Sequence, residues 1–296
     1  MITSRIFAVL GWMILGAMLA LAGPAAAGSR NSVPLRAMTY NIRLDLASDG
    51  ENAWPMRREI VAALIRHEAP DILGMQEVLL GQKSDLEQAL PELAMVGGGR
   101  DDGKNRGEFS PIAYRRERFV LLDSGTFWLS RTPETPSKDW DAAYPRIATW
   151  AVLRDRKSGW TLRVLNTHFD HLGIVARRES AALLSNWLMR GAQARLPTIL
   201  MGDLNATPDD MGYRLLAETS ALGLRDARAN SETPVYGPPG TFNGFKIDAR
   251  APAPIDHIFV SGRFHVQRYS VVTQHWGGRL PSDHYPVVAD LRFVGR

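Results

Sequence analysis

The chain has 296 residues, 45% hydrophobic and 22% charged, with no cysteine. These proportions exclude wholesale disorder, and the missing Cys excludes disulfides, thiolate metal sites, a cysteine nucleophile and a lipidated N-terminal Cys. The formal charge is +4, carried by 30 Arg and 5 Lys. That is too little for this length to indicate nucleic-acid binding. Arg forks well onto phosphate, although most of the Arg bias reads as a coding habit.

In chain order, residues 1–27 read as an export signal. Arg5 supplies a positive start, Ile6 to Leu21 an uncharged apolar run, and Pro24 with Ala25-Ala26-Ala27 a small-residue cleavage site. An uncleaved anchor is the competing reading, since the apolar run approaches spanning length. Cleavage after Ala27 leaves one domain over 28–296, with no transmembrane segment in the mature chain and a periplasmic or secreted destination.

Leu35 to Ile42 mixes apolar and β-branched residues and is predicted as a strand. Pro55 suits the first turn of a helix that carries Met56, Ile60, Ala63 and Leu64 and stops at Pro70. Asp71 to Val78 reads as a short buried strand, and Gln82 to Leu90 as a helix. Ile112–Tyr114, Phe119–Leu122 and Thr126–Leu129 read as three successive strands. Arg131 to Tyr144 is loop. Ile147–Leu153 and Trp160–His168 form a hairpin about Lys157-Ser158-Gly159. An amphipathic helix over Ala176–Met189 precedes a strand, Thr198–Met201. Thr207 is a candidate cap for a helix starting at Pro208. Ala229 to Pro254 is loop-like. Ile255–Val260, Val266–Val272 and Tyr285–Phe293 close the chain as strands. Strands outnumber helices and hairpins mix with strand–helix units, so the pattern favours two sheets with helices outside over a doubly wound parallel sheet.

Polar residues recur where apolar strands end: Asn41, Glu77, His168, Asp203 with Asn205, Asp256 with His257, and Asp283 with His284. Singly, each has an ordinary reading as a turn, a cap or a solvated side chain. As a set they suit phosphoester hydrolysis, which needs a hard cation, a base for water and donors for oxygens that gain charge. Glu77 and Asn41 offer oxygen ligands of the kind Mg²⁺ takes. Zinc fits less well, with no Cys and no H-E-x-x-H. Strand alternation would turn His168 and His171 to opposite faces.

The motifs M-T-Y-N-I (38–42), M-Q-E-V (75–78), N-T-H-F-D-H (166–171), G-D-L-N-A-T-P (202–208), I-D-H-I (255–258) and S-D-H-Y-P-V (282–287) together resemble the endonuclease/exonuclease/phosphatase superfamily. The resemblance runs from about Leu35 to Phe293. S-P-I-A-Y-R-R (110–116), G-T-F-W-L-S (125–130) and Y-P-R-I-A-T-W (144–150) resemble one bacterial branch of it. The implied fold is a four-layered α/β/β/α sandwich, an α/β class in which two mixed, mostly antiparallel sheets pack face to face with helices outside.

The resemblance also implies roles. Glu77 is the principal metal ligand, with Asn41 beside it and Asp283 completing the acidic cluster. The ion is Mg²⁺, with Mn²⁺ able to substitute. Asp256 orients His284, which activates water or aids phosphate binding. Asp203 and Asn205 position the nucleophile, with Asp203 as base or acid. His168 contacts the phosphate and is a candidate to protonate the leaving group, and Glu108 is its candidate partner. Arg146 clamps a phosphate oxygen. His171 counts with the substrate-binding residues, at the cleft rim or in a strand-end turn with Asp170. Arg43 stands where some relatives carry a further Asp ligand, and Asp45 is the candidate replacement. His168 stands where abasic-site nucleases carry Tyr, which leans away from DNA repair.

The expectation is thus an exported Mg²⁺-dependent hydrolase of the phosphodiesterase or phosphatase type. Its substrate would be a phosphorylated small molecule or lipid head group, with no stable protein partner. An extracellular nuclease acting on DNA or RNA and a non-catalytic envelope protein are the alternatives. Segments 98–108, 131–145 and 229–254 are expected to shape the cleft mouth, with Thr241–Phe245 either facing substrate or packing on its own Phe residues.

Overall fold

The computed structural model describes residues 32–218 and 222–294; the segment 1–27 expected to be an export signal lies outside them. In order the chain forms β1 (Ser32–Asn41), α1 (Trp54–Glu68), β2 (Ile72–Gln76), α2 (Leu80–Ala89), β3 (Leu93–Val96), β4 (Ile112–Arg115), β5 (Phe119–Trp128), β6 (Ile147–Asp155) and β7 (Thr161–His168). There follow α3 (Ile174–Leu188), β8 (Thr198–Asp203), α4 (Met211–Ala217), β9 (Arg225–Asp226), β10 (Asp256–Val260), β11 (Phe264–Val271) and β12 (Val287–Val294). Among the described residues no helix is long and apolar enough to cross a membrane.

Two six-stranded sheets result, ordered β11-β12-β1-β2-β4-β3 and β5-β6-β7-β8-β10-β9. Every pairing is antiparallel except β1 with β2 and β7 with β8. Those two parallel pairs are joined through α1 and α3, as a parallel crossover requires.

Alternation of side chains builds the layers. On β1, Leu35 and Ala37 enter a middle core between the sheets, while Met38 and Tyr40 pack with Val61, Leu64 and Ile65 of α1. On β8 and β10, Ile199, Met201, Ile258 and Val260 face the middle core, and Leu200 and Phe259 face α3 and α4. Three apolar cores thus separate four layers: helices, sheet, sheet, helices.

One polar link ties the sheets inside that middle layer. Asn166 of β7 donates to the carbonyls of Met75 (2.7 Å) and Pro111 (2.9 Å) in the other sheet, and accepts from Gln76 Nε2 at 2.7 Å. The close approach needs Gly74, because a Cβ there would lie 2.7 Å from Asn166 Oδ1.

Local differences from the sequence reading have physical causes. The two strands expected within 119–129 are one strand, β5, with an irregularity between Leu121 and Asp123. It is an edge strand, and its exposed Leu122-Asp123-Ser124 stretch imitates a break. β3 and β9 were not expected, being too short to display alternation. Thr207 does not cap a helix at Pro208. Its N–H and hydroxyl both donate to Asp210, and α4 begins after Asp210.

Candidate active site

Along the inner face of each central strand, apolar residues give way to polar ones toward one end of the sandwich. Ala37 leads to Thr39 and Asn41, Ile72 to Gln76, Val164 to Asn166 and His168, and Met201 to Asp203. Register brings these ends together: Asn41 lies opposite Gln76, and Asp203 lies between His168 and Asp256. Close contact of β7 and β8 there needs Gly202 (φ 148°), where a Cβ would sit 2.0 Å from the Thr167 carbonyl.

Asp203 is the centre. Asn41 Nδ2 donates to its Oδ2 at 3.0 Å and to Glu77 Oε1 at 2.9 Å. His168 Nε2 and His284 Nε2 stand 3.4 and 3.7 Å from the same Oδ2. Asn205 N–H donates to the other oxygen at 2.9 Å, and Asn205 Nδ2 lies 3.1 Å from His168 Nε2. Strict alternation would turn Glu77 toward the helix layer. Its left-handed backbone (φ 61°) returns the carboxylate to the cleft, where Leu44 N–H also donates to it. Asn205 is left-handed too (φ 46°), and such strain in non-Gly residues concentrates at functional sites.

His284 Nδ1 lies 2.9 Å from Asp256 Oδ2. Its segment is pinned by Ser282, whose hydroxyl donates to the Asn41 carbonyl, and by backbone bonds from Asn243 and Gly244 to the Asp283 carbonyl. The loop thereby splits its two aromatics. Phe242 is 45% exposed, edge-on to the His284 ring and part of the cleft wall, whereas Phe245 packs against the middle core and the buried Arg57. Arg57 donates to the carbonyls of Ile42, Arg43, Asn52 and Pro281 and so holds the turns behind Asn41 and Asp283.

Electrostatics follow from packing acids together out of water. Burial, reinforced by Asp256, pushes the Asp203 carboxyl up to about 7, against the pull of His284. Burial and then Glu77 also raise Asp283, with His284 opposing. Burial alone would lower His284, but Asp256 and Asp203 outweigh it and hold the imidazole well above its ordinary range. His168 is driven the other way, well below, by burial and by Arg146.

The outer wall of this cleft of about 690 Å³ carries Arg100, Glu108, Tyr144, Arg146 and His171. Asp170, buried, accepts from the backbone N–H groups of Tyr144, Leu172 and Gly173 and from Arg146 Nε. It is the strand-end turn itself, and it props up the rim. His168 and His171 do not diverge to opposite faces, because β7 ends at His168 and the turn brings His171 back to the cleft.

Every residue singled out from the sequence lines this cleft or touches a lining residue, except Asp45 and His257, which is buried on the helix side of β10, where its Nε2 donates to the Ala206 carbonyl at 2.8 Å and its ring packs against Tyr213 and Phe259. Asp45 is exposed and points its N–H at Gln82, while Arg43 pairs with Asp49 and stands about 4 Å from both Glu77 and Asp283. Glu108 is not the partner of His168: it pairs with Arg100 at 2.8 Å, and His168 Nδ1 has no hydrogen-bond partner. Asn41 turns its amide N–H, and not its oxygen, toward Glu77 and Asp203; its oxygen accepts from Arg43 N–H. Asp203, Asp256 and His284 each offer a ligand atom within 4.8 Å of the others and could hold a metal ion. Sequence reasoning missed Arg100, Arg57 and the positioning role of Ser282. Ser282 and Tyr144 stood inside recognised motifs, but Arg57 lies mid-helix with nothing to mark it.

The profile of the endonuclease/exonuclease/phosphatase family matches residues 38–284. Among solved structures, an endonuclease/exonuclease/phosphatase family protein from Bacteroides thetaiotaomicron is 38% identical, covering 89% of this chain and 99% of its own, with a TM-score of 0.85. A mannosyl-6-phosphatase of the same bacterium is 39% identical, covering 87% and 99%, with a TM-score of 0.83. Two uncharacterized proteins of Acanthamoeba polyphaga mimivirus are 26% and 29% identical over 79% and 51% of this chain, which spans 40% and 59% of their lengths.

Proposed function

The chain belongs to the endonuclease/exonuclease/phosphatase family, hydrolases of phosphoester bonds, and from that premise we propose that it is an exported, divalent-metal-dependent phosphoesterase acting on a phosphorylated small molecule. The observation that carries this is the convergence on Asp203 of Asn41, His168, Asn205 and His284, drawn from both sheets. The bacterial mannosyl-6-phosphatase, similar over nearly its whole length, supports a small phosphorylated substrate. The exported destination rests on residues 1–27.

The residues fit a cation. Four carboxylates, Glu77, Asp203, Asp256 and Asp283, crowd the floor, and Asp256 Oδ1 is buried without a hydrogen bond. Oxygen donors of this kind suit a hard ion. Glu77, with Asp283 beside it, would hold Mg²⁺, Mn²⁺ being able to replace it, and the ion would supply positive charge to the phosphate oxygens. Asp203, its carboxyl raised by burial and by Asp256, takes the proton of the attacking water. His284, kept protonated by Asp256, donates to a phosphoryl oxygen, and Asn205 Nδ2 donates to His168 Nε2, which leaves the proton of that neutral ring on Nδ1. Arg146 adds a fixed cation on the wall. The P–O bond to water forms in line with the one that breaks, and the leaving oxygen takes its proton from solvent at the cleft mouth.

A panel of phosphomonoesters and diesters, plasmid DNA included, tests this at millimolar Mg²⁺ with EDTA and Glu77→Gln controls. We expect turnover of small esters that EDTA abolishes and excess metal restores. Degradation of DNA alone would move the assignment to the nuclease class, and no turnover of any ester would refute it. N-terminal sequencing of protein recovered outside the cytoplasm should begin at Gly28.

A further inference from the structure

The outer wall of the cleft is built more firmly than phosphate binding requires. Arg100 is fixed at both ends: its backbone N–H donates to the Glu108 carbonyl, its carbonyl accepts from Trp128 Nε1, and its guanidinium pairs with the Glu108 carboxylate at 2.8 Å. Its Cζ lies 4.9 Å over the Tyr144 ring, and the His171 ring stacks on the same Tyr144, 18° from parallel. His171 Nδ1 lies 3.1 Å from Arg146 Nη2. A guanidinium only donates, so Nδ1 accepts and the proton of the neutral ring sits on Nε2. His171 is therefore held as a donor.

Two buried donors on this wall lack partners. Arg100 Nε and His168 Nδ1 make no hydrogen bond, and both side chains border a recess of about 10 Å³ that Glu108, Ser110 and Arg146 also line. That volume holds about one oxygen atom with its hydrogen. Buried polar groups are ordinarily satisfied, so unpaired donors beside an acidic acceptor mark a place for a ligand group that both accepts and donates. A hydroxyl does both. A carboxylate–guanidinium pair beside an aromatic ring matches a ring bearing neighbouring hydroxyls, whereas a carboxylate facing the cleft repels a second phosphate.

We propose that Arg100, Glu108, Tyr144 and His171 form a subsite for the non-phosphoryl part of the substrate, and that this part is a hydroxyl-rich ring, so that the substrate class is a pyranose phosphate. This rests on the phosphoesterase reading above and names its substrate. One hydroxyl enters the recess between Glu108 and Arg100, and the ring lies against Tyr144 with His171 donating to a further oxygen. Arg100 and Tyr144 are thereby specificity-determining residues.

The test compares kcat/KM for glucose 6-phosphate and mannose 6-phosphate with that for p-nitrophenyl phosphate, which has no hydroxyls to read, in the wild type and in Glu108→Gln and Tyr144→Ala. The ratio of sugar to aryl turnover should fall at least about tenfold in both variants, chiefly through KM, as expected when a site built to bond hydroxyls loses its partner. A ratio within about twofold of wild type in both variants overturns the subsite, as does a wild type that cleaves the aryl ester and neither sugar. If the wild type cleaves none of the three, the phosphoesterase reading fails, and equilibrium dialysis of radiolabelled glucose 6-phosphate decides the subsite separately. Binding that both variants weaken supports it, and no binding overturns it.

Discussion

His284 and Asp170 show how neighbouring buried side chains divide into chemistry and support. His284 touches Asp256 and Asp203 and little that holds the fold, so His284→Ala should lower kcat by roughly 10²–10⁴-fold while the melting temperature barely moves; steady-state kinetics beside a thermal scan checks both. Asp170 is the reverse case. Burial alone would raise its carboxyl, but the N–H groups of Gly173 and Leu172 and the charge of Arg146 hold it well below the ordinary carboxylate range. A depressed folded pKa contributes stability that is complete above the unfolded value and lost as pH falls through the folded one. Asp170→Asn should therefore cost about 1.5–3 kcal/mol near neutral pH, the scale of a lost charge-assisted bond, and the gap to wild type should narrow below about pH 4. Urea unfolding across that range measures it, and a gap independent of pH would refute the assignment.

Elements carry the geometry that single residues cannot. The ends of β7 and β8 meet only because Gly202 lacks a side chain, so Gly202→Ala should destabilise by more than about 2 kcal/mol. By displacing Asp203 it should also lower kcat at least about tenfold, which chemical denaturation and kinetics would resolve. At this scale the sequence was readable where patterns are long. Helices α1, α2 and α3, the β6–β7 hairpin and the central strands were all visible, because apolar periodicity and Pro punctuation mark them. Asn41, Glu77, His168, Asp203, Asp256 and His284 could be found where such strands end or begin, whereas Glu108 and Arg146 were reached only through the family resemblance. What escaped was set by tertiary contact. The left-handed turn at Glu77 leaves no trace in composition, the Arg100–Glu108 pairing joins side chains across a loop of Gly and Asp, and the His171 return depends on a turn made by Asp170. Short edge pieces such as β3 and β9 exist only because a neighbour supplies their hydrogen bonds.

At the scale of the whole molecule the two sheets form one unit through their middle layer. Asn166 is its polar centre, and Asn166→Leu would leave Gln76 and two carbonyls short of partners. At about 1–3 kcal/mol for each unsatisfied group, a loss of about 3 kcal/mol or more is expected. That is a fall of roughly 6–12 °C in melting temperature at about 2–4 °C per kcal/mol, readable by calorimetry. A variant that melts with wild type would show that the layer is held by apolar packing alone.

The pairing of β1 with β12 sets a schedule for the nascent protein. Ser32 aligns with Val294 and Thr39 with Val287, so the first strand of the sheet waits for the last. Until that partner leaves the ribosome, Asn41 and Glu77 have no closed sheet beneath them and His284 no anchor. Hydrolytic competence then arrives in one step with β12, and a chain stopped just after His284 would be inert although every candidate catalytic side chain had already been made.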